Sequence, residues 1–302
     1  MTSRAPVVVA SECAAARFAP NTRAGFAYCL ERGFDGIEMD VHLAADGEVV
    51  VQHDYRLNPR LTRDRSGRWL DAPGEPVCRL TSAELAAYDV GRYRPGAQEP
   101  AAYPNYAPRD GEPIPTLRDL LTAYVSRSAI ATLWIELKTT PYQRDVSSDP
   151  AALVRAVVDA VVDFGVARRT VLLAFEWDVL ATARERCADV ELDYLSLHPR
   201  HVVALNRKVG AVDPYRLYGE FDPRRFGDSI PAAIAVAGGG WWGPNVGDVV
   251  ADDVIEAHAL GLRVNLWNVE SDAASIDTAL TLNADAITLS DPDTLAERLA
   301  VG

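Results

Sequence analysis

Cysteine and histidine are both scarce in this chain of 302 residues, at four and five copies. Cys13, Cys29, Cys78 and Cys187 are scattered without Cys-x-x-Cys spacing, which argues against structural zinc and gives no disulfide framework. Basic residues are outnumbered, 30 Lys and Arg against 43 Asp and Glu, for a net charge of −13. That balance opposes broad attraction to nucleic acid or an anionic membrane, so the expected partner is a small molecule. An anionic one would need a locally positive site or a bound cation. No stretch approaches the roughly 18 consecutive apolar residues of a membrane span. The opening MTSRAPVVVASEC has a short apolar run that meets Glu12 at once, too short for a signal-peptide core. A cytoplasmic location is therefore expected. With 48% hydrophobic residues, no repeat and no low-complexity tract, the chain reads as globular with a sizeable core.

Apolar, β-branched runs predict nine strands, at 7–10, 36–42, 49–53, 133–138, 170–175, 191–197, 232–237, 263–269 and 285–290. Helical patterns lie between most of them. Asp149 followed by Pro150 predicts a helix that stops near Gly165, and Ser271 precedes another. The second and third strands are joined only by LAADGE, whose Asp46-Gly47 pair predicts an antiparallel hairpin with its turn centred between Ala45 and Asp46. Setting the returning strand aside leaves eight, and the expected fold is an α/β (β/α)8 TIM barrel, a single domain over 1–302. An open, doubly wound sheet is the main alternative. The stretch from about 55 to 115 breaks the rhythm; its one convincing helix, TSAELAAY, opens on the capping-box pair Thr81 and Glu84. It is read as an insertion over the barrel mouth.

In DGIEMDVH, residues 35–42, strand alternation puts Glu38, Asp40 and His42 on one face and Ile37, Met39 and Val41 on the other. The pattern alone fits either a solvated edge strand or a polar face that looks into a barrel mouth and holds a cation. The hairpin turn would fold His53 back roughly opposite Glu38. LWIELK repeats the alternation, with Trp134, Glu136 and Lys138 together. If both polar faces point inward, Glu38, Asp40 and Glu136 form an all-oxygen cluster suited to one divalent cation, Mg²⁺ or Ca²⁺. Lys138 would then face an anionic ligand, and His53 could move a proton near neutral pH. The plainer alternative is a Glu136–Lys138 salt bridge beside a solvated His53. His198 and His201, at the expected end of the sixth barrel strand, are further candidates, whereas His258 reads as an ordinary helix residue. GGGWWGP at 238–244 lacks the Gly-Lys-Ser/Thr ending of a nucleotide-binding loop.

GFDGIEMDVHLAADGEVVVQHD, LNPRLTRD, DGEPIPTL, WIELK and AHALGLRVNLWNVE resemble the successive motifs of the glycerophosphodiester phosphodiesterase family. The resemblance implies a (β/α)8 barrel, one divalent cation and hydrolysis of a small-molecule phosphodiester to glycerol phosphate and an alcohol. It makes Glu38, Asp40 and Glu136 metal ligands, His53 a catalytic histidine and Lys138 a phosphate contact. It also places GGGWWGP after the seventh barrel strand, where Trp241 or Trp242 would wall the substrate pocket, with Trp267 a further substrate contact. The chain departs from the family at the first strand end. Ser11, Glu12, Cys13 and Pro20 stand where the family has His, Arg, Gly and Glu, and Asn268, Glu270, Leu289 and Ser290 also differ from its usual residues. Acid–base catalysis and phosphate recognition each lose a partner there, and Glu12, a carboxyl among carboxylates, is the candidate replacement acid. Two other readings stand beside hydrolysis: a repurposed metal-dependent lyase or isomerase on the same scaffold, and a non-catalytic phosphate-ester-binding homologue.

Overall fold

In the computed structural model, which describes residues 5–98, 103–207 and 210–301, nine strands share one sheet. They are β1 (Val7–Ala10), β2 (Gly36–Leu43), β3 (Val49–Val51), β4 (Thr132–Leu137), β5 (Thr170–Ala174), β6 (Glu191–Ser196), β7 (Trp241–Pro244), β8 (Arg263–Leu266) and β9 (Ala286–Leu289). The strand order β1-β9-β8-β7-β6-β5-β4-β2-β3, with β1 also pairing to β2, closes eight parallel strands into a (β/α)8 barrel. β3 lies antiparallel against β2, outside the closed ring.

Two apolar layers hold the barrel together. Ile37, Met39 and Val41 of β2 and Leu133, Ile135 and Leu137 of β4 pack outward on the helices, among them Leu153, Val154, Val157 and Val161 of α4 (Pro150–Asp163, the fourth helix in chain order). Inside the ring, Val9, Trp134, Val171, Leu173, Leu195, Trp241 and Ala286 fill the lumen. Each such aliphatic side chain contributes about 1.5–3 kcal/mol relative to exposure, an upper estimate because the unfolded chain already hides part of that surface. The start of α4 is set locally: the Asp149 carboxylate accepts from Ala152 N–H at 2.7 Å and Pro150 occupies the first turn. The helix after β8 is capped by Asp272, one residue later than Ser271.

The strand predicted at 232–237 is a helix, α7 (Ile230–Ala237). A continuous apolar run does not distinguish buried helix from buried strand, and here local chemistry decides. Ser229 accepts from Ala232 N–H, Pro231 stands in the first turn, alanine dominates the sequence, and Gly238 ends the helix at φ 75°. The seventh barrel strand is therefore Trp241–Pro244, within the stretch read as the following loop.

The hairpin forms, with its register half a residue from the expected one. Val41 pairs with Val51, His42 with Val50 and Leu43 with Val49, so the turn centres on Asp46 and closes through Ala44 N–H to the Glu48 carbonyl at 2.8 Å. By alternation His53 would face Met39 rather than Glu38. Its place in the site arises because β3 ends at Val51 and the chain leaves the ladder after Gln52 N–H donates to the Asp40 carbonyl at 2.9 Å.

Between that point and residue 115 the chain builds a small apolar centre of its own, with Leu57, Val77, Leu85, Val90 and Ile114 resting on Val50 of β3 and Ala44 of the turn. The short helix α2 (Ser82–Leu85) has both halves of the Thr81–Glu84 capping box. Residues 99–102 of this segment lie outside the described residues. No helix among the described residues is long and apolar enough to cross a membrane.

Gly25 sits in α1 (Arg23–Arg32), where an added Cβ would meet the Cys13 carbonyl oxygen at 2.3 Å. Backbone cannot yield as a flexible side chain does. Gly25→Ala is expected to destabilise by about 1–3 kcal/mol, seen as a lower urea midpoint at an unchanged slope. An unchanged midpoint would show that the turn before α1 is not held against it.

Candidate active site

β2 and β4 run parallel in a register that sets Asp40 beside Glu136. The inward faces of the two strands therefore deliver their carboxylates to the same end of the barrel. One oxygen from each of Glu38, Asp40 and Glu136 lies within 4.8 Å of the others. They border a cavity of about 300 Å³, and Asp40 is only 1% exposed. Lys138 Nζ stands 2.9 Å from Glu136 Oε1 and 3.3 Å from Asp40 Oδ1.

The turn after β1 brings a fourth carboxylate. Glu12, Cys13 and Ala14 have φ of 46°, 61° and 65°, a left-handed turn made without glycine. Each such residue costs of order 1–3 kcal/mol and needs surrounding contacts to hold it. Glu38 supplies several of them: its Oε2 accepts from Glu12 N–H at 2.6 Å and from Ser11 Oγ at 3.3 Å, and its carbonyl accepts from Cys13 Sγ at 3.7 Å. The far side is tied by Asn21 N–H to the Glu12 carbonyl at 2.8 Å. Asn21 also fixes Asp40, donating to Oδ2 at 2.8 Å and accepting the Asp40 N–H at 3.1 Å. Sequence reasoning missed this asparagine, because its bonds to Asp40 follow no periodic pattern.

His53 joins the same group, with one ligand-capable atom each from Glu12, Asp40 and His53 within 4.8 Å. Its Nδ1 lies 3.0 Å from Asp54 Oδ1, and Asp54 in turn accepts from Asn58 Nδ2 at 2.6 Å. His42 is fully buried, and its Nε2 lies 3.2 Å from the His53 carbonyl.

The charges do not balance on side chains alone. Burial first, then Asp40, pushes the Glu38 carboxyl well above the usual range; burial also raises Glu136, against the pull of Lys138. Burial, opposed by His53 and reinforced by Asp40, lifts Glu12 to about 7. Asp40 alone falls below its ordinary value: burial opposes this, and Lys138, His53 and the Asn21 bond outweigh it. Lys138 acts to lower the half-exposed His53, but Asp40, the Asp54 bond and Glu12 together raise it to about 10. Burial and then Lys138 push His42 down to about 4, so it is neutral at physiological pH. Carboxyls that retain protons because too few cations face them form a set that a hard dication fits. The all-oxygen donor set and the 4.8 Å grouping meet that requirement.

Phe175 and Trp267 wall the cavity as an edge-on pair with centroids 5.5 Å apart, and Tyr103 reaches it from the segment between β3 and residue 115. No arginine lines it among the described residues. Trp241, expected on this wall, lies at the opposite end of the barrel. It lines a second cavity with Val7, Thr132 and Thr170, residues at strand starts, and its Nε1 donates to Glu191 at 2.7 Å. The cause is the shifted seventh strand, which begins at Trp241 itself. Trp242 is buried on the outer side, bonded to Ser196 Oγ at 2.9 Å. His198 and His201 are away from the cavity. The former caps α6 (Pro199–Leu205) and the latter meets Asp248 at 3.0 Å. His258 pairs with Asp285 at 2.9 Å.

Residues 13–294 match the model of the glycerophosphoryl diester phosphodiesterase family. A glycerophosphodiester phosphodiesterase of Bacillus altitudinis is 26% identical over 275 residues, 90% of this chain and 89% of that protein. The uncharacterized protein YqiK of Bacillus subtilis (strain 168) is 29% identical over 184 residues, covering 61% of this chain and 64% of that protein. The crystal structure of a Silicibacter pomeroyi DSS-3 protein, described as a glycerophosphoryl diester phosphodiesterase, superposes with a TM-score of 0.83 at 30% identity, covering 100% of this chain and 95% of that one. The fold is shared by an Oleispira antarctica phosphodiesterase in complex with its product sn-glycerol-3-phosphate. The TM-score is 0.69 at 17% identity, and the coverage is 98% of this chain and 97% of that one.

Asn265 and Thr288 line the cavity, and behind them the buried Asp193 accepts from Asn265 Nδ2 at 2.8 Å while Asn265 accepts from Thr288 Oγ1 at 2.8 Å. Burial raises the Asp193 carboxyl to about 7 against the Asn265 bond, and Oδ1 has no partner. The folded protein thus keeps a proton that the unfolded chain releases from about 3.8 upward, so stability attributable to this group falls as pH rises between 3.8 and 7. Asp193→Asn removes that dependence. Its unfolding free energy relative to the parent should climb across the window by about 1.4 kcal/mol per pH unit and then level off. Denaturant melts at a series of pH values check this, and a pH-independent difference would contradict it.

Proposed function

The chain belongs to the glycerophosphoryl diester phosphodiesterase family, and we propose that it hydrolyses a glycerophosphodiester with the help of one divalent cation, Mg²⁺ or Ca²⁺. The observation that carries this reading is the convergence of Glu38, Asp40 and Glu136 with Lys138 and His53 on one cavity at a strand end. Relatives in this family are phosphoric diester hydrolases. The glycerol phosphate held as product by the Oleispira antarctica enzyme supports the same kind of product here.

In this reading Glu38, Asp40 and Glu136 would hold the cation, which when bound would supply positive charge to the phosphoryl oxygens. Asn21 and Lys138 fix the Asp40 and Glu136 carboxylates in place. Lys138 also lines the cavity and adds positive charge near the diester. His53, bonded to Asp54 and kept protonated by the carboxylates of Asp40, Asp54 and Glu12, delivers a proton to the departing alkoxide. Glu12 stands within reach of the same space and carries the second proton-transfer role that the family assigns to the histidine replaced by Ser11. Trp267 and Phe175 give the alcohol an apolar wall.

A second reading, metal-assisted proton abstraction from a substrate without a phosphodiester, is favoured by one observation: a carboxylate, not a guanidinium, occupies position 12 beside the metal platform. A panel of glycerophosphodiesters and non-ester substrates separates the two. The expected result is diester cleavage that requires added divalent cation, disappears in Glu136→Gln, and falls by roughly 10²–10⁴-fold in kcat in His53→Asn. Absence of turnover on every diester while metal is bound would sink the hydrolytic reading. A second panel member, Glu12→Gln, should lower kcat with the cation still bound; an unaffected kcat would remove Glu12 from the mechanism.

A further inference from the structure

His42 shares the inward face of β2 with Glu38 and Asp40, yet it does not line the cavity. Its Nε2 lies 3.2 Å from the His53 carbonyl oxygen. A carbonyl only accepts, so Nε2 carries the proton and donates. The ring stands edge-on to Tyr55 with centroids 5.2 Å apart, and the residue is 0% exposed. Nδ1 has no partner. One hydrogen bond and one ring contact therefore account for this buried polar side chain, and both reach the segment that leaves β3.

That segment has an unusual task. The β2–β3 register alone directs His53 away from Glu38 and Asp40, and only departure from the ladder after Gln52 brings its ring among Glu12 and Asp40. Beyond His53 the chain is tied mostly to the inserted segment, through Asn58 Nδ2 to Asp54 at 2.6 Å and Val77 N–H to the Tyr55 carbonyl at 2.9 Å. His42 instead supplies a side-chain tie from β2, the strand that carries two of the carboxylates.

Resting on the reading of His53 as proton carrier, we propose that His42 is a positioning residue: by donating to the His53 carbonyl, it fixes where the chain leaves the ladder and so sets the His53 ring against Asp40 and Glu12. The metal platform and the proton carrier are thereby held in one frame by a residue that touches neither substrate nor cation.

Gln at position 42 places an amide N–H at a reach close to that of Nε2, Asn stops short of it, and Phe fills the space without a donor. The test uses the full chain with His42→Gln, His42→Asn and His42→Phe, measuring kcat, KM, calorimetric affinity for Mg²⁺ and the His53 ring resonances in ¹H–¹³C spectra. His42→Asn and His42→Phe should lower kcat on the order of 100-fold with KM and Mg²⁺ affinity within about twofold, while His42→Gln stays within about threefold of the parent. The His53 resonances should move in the Asn and Phe proteins and stay in place in the Gln protein. Should the Phe protein fail to fold, the Asn protein carries the comparison. A parent-like kcat and unmoved His53 resonances in His42→Asn would overturn the proposal, as would equal losses in Asn and Gln, or a loss that follows Mg²⁺ affinity. If the parent cleaves no diester at all, the hydrolytic reading falls, and the resonance pattern alone decides the positioning role.

Discussion

Four carboxylates, Glu12, Glu38, Asp40 and Glu136, meet one lysine and one histidine at the end of two neighbouring strands, and much of the site is arranged around that imbalance. Burial removes the water that would otherwise screen like charges, so the side chains must protonate or recruit a cation. Lys138 bridges Asp40 and Glu136, leaving Glu38 to be steadied by backbone and hydroxyl donors of the turn after β1. That same carboxyl is what the left-handed turn leans on, so the strain at Glu12 and the burial of Glu38 are two ends of one arrangement.

The carboxylate set was legible in the sequence because strand alternation is a two-residue rule that survives tertiary context. Glu38, Asp40 and Glu136 could be placed on common faces before any fold was known, and the barrel closure then brought those faces together. The failures have equally local causes. AAIAVA at 232–237 reads as a strand from its apolar continuity, whereas Ser229, Pro231 and the alanines make 230–237 a helix, and the seventh strand shifts so that Trp241 stands at the opposite end of the barrel from the one expected. The hairpin turn lies half a residue later than expected, which in the ladder would turn His53 away from Glu38; His53 still reaches Asp40 and Glu12 because the chain leaves the ladder after Gln52.

Other parts lay beyond sequence reasoning for a different reason. Asn21 acts through a left-handed backbone at φ 58° and a reciprocal pair of hydrogen bonds to Asp40, neither of which leaves a periodic trace. Tyr103 enters from the segment between β3 and residue 115, whose packing on β3 depends on non-local contacts such as Leu57 and Ile114. The departures from the family motif at Ser11, Glu12 and Cys13 were visible as substitutions, but their meaning rests on geometry: the turn directs Glu12 toward His53 and Asp40 instead of presenting a guanidinium to phosphate.

As proposed above, this carboxylate set would hold a single divalent cation. Carboxyls that keep protons for want of a cation must release them when one binds, so binding is coupled to proton release. Calorimetric titration of the protein with Mg²⁺ and with Ca²⁺ in buffers of different ionisation enthalpy measures both quantities at once. The account predicts one site per chain, proton release on binding, and loss of the site in Asp40→Asn. No binding by the parent, or binding without proton release that persists in Asp40→Asn, would contradict it.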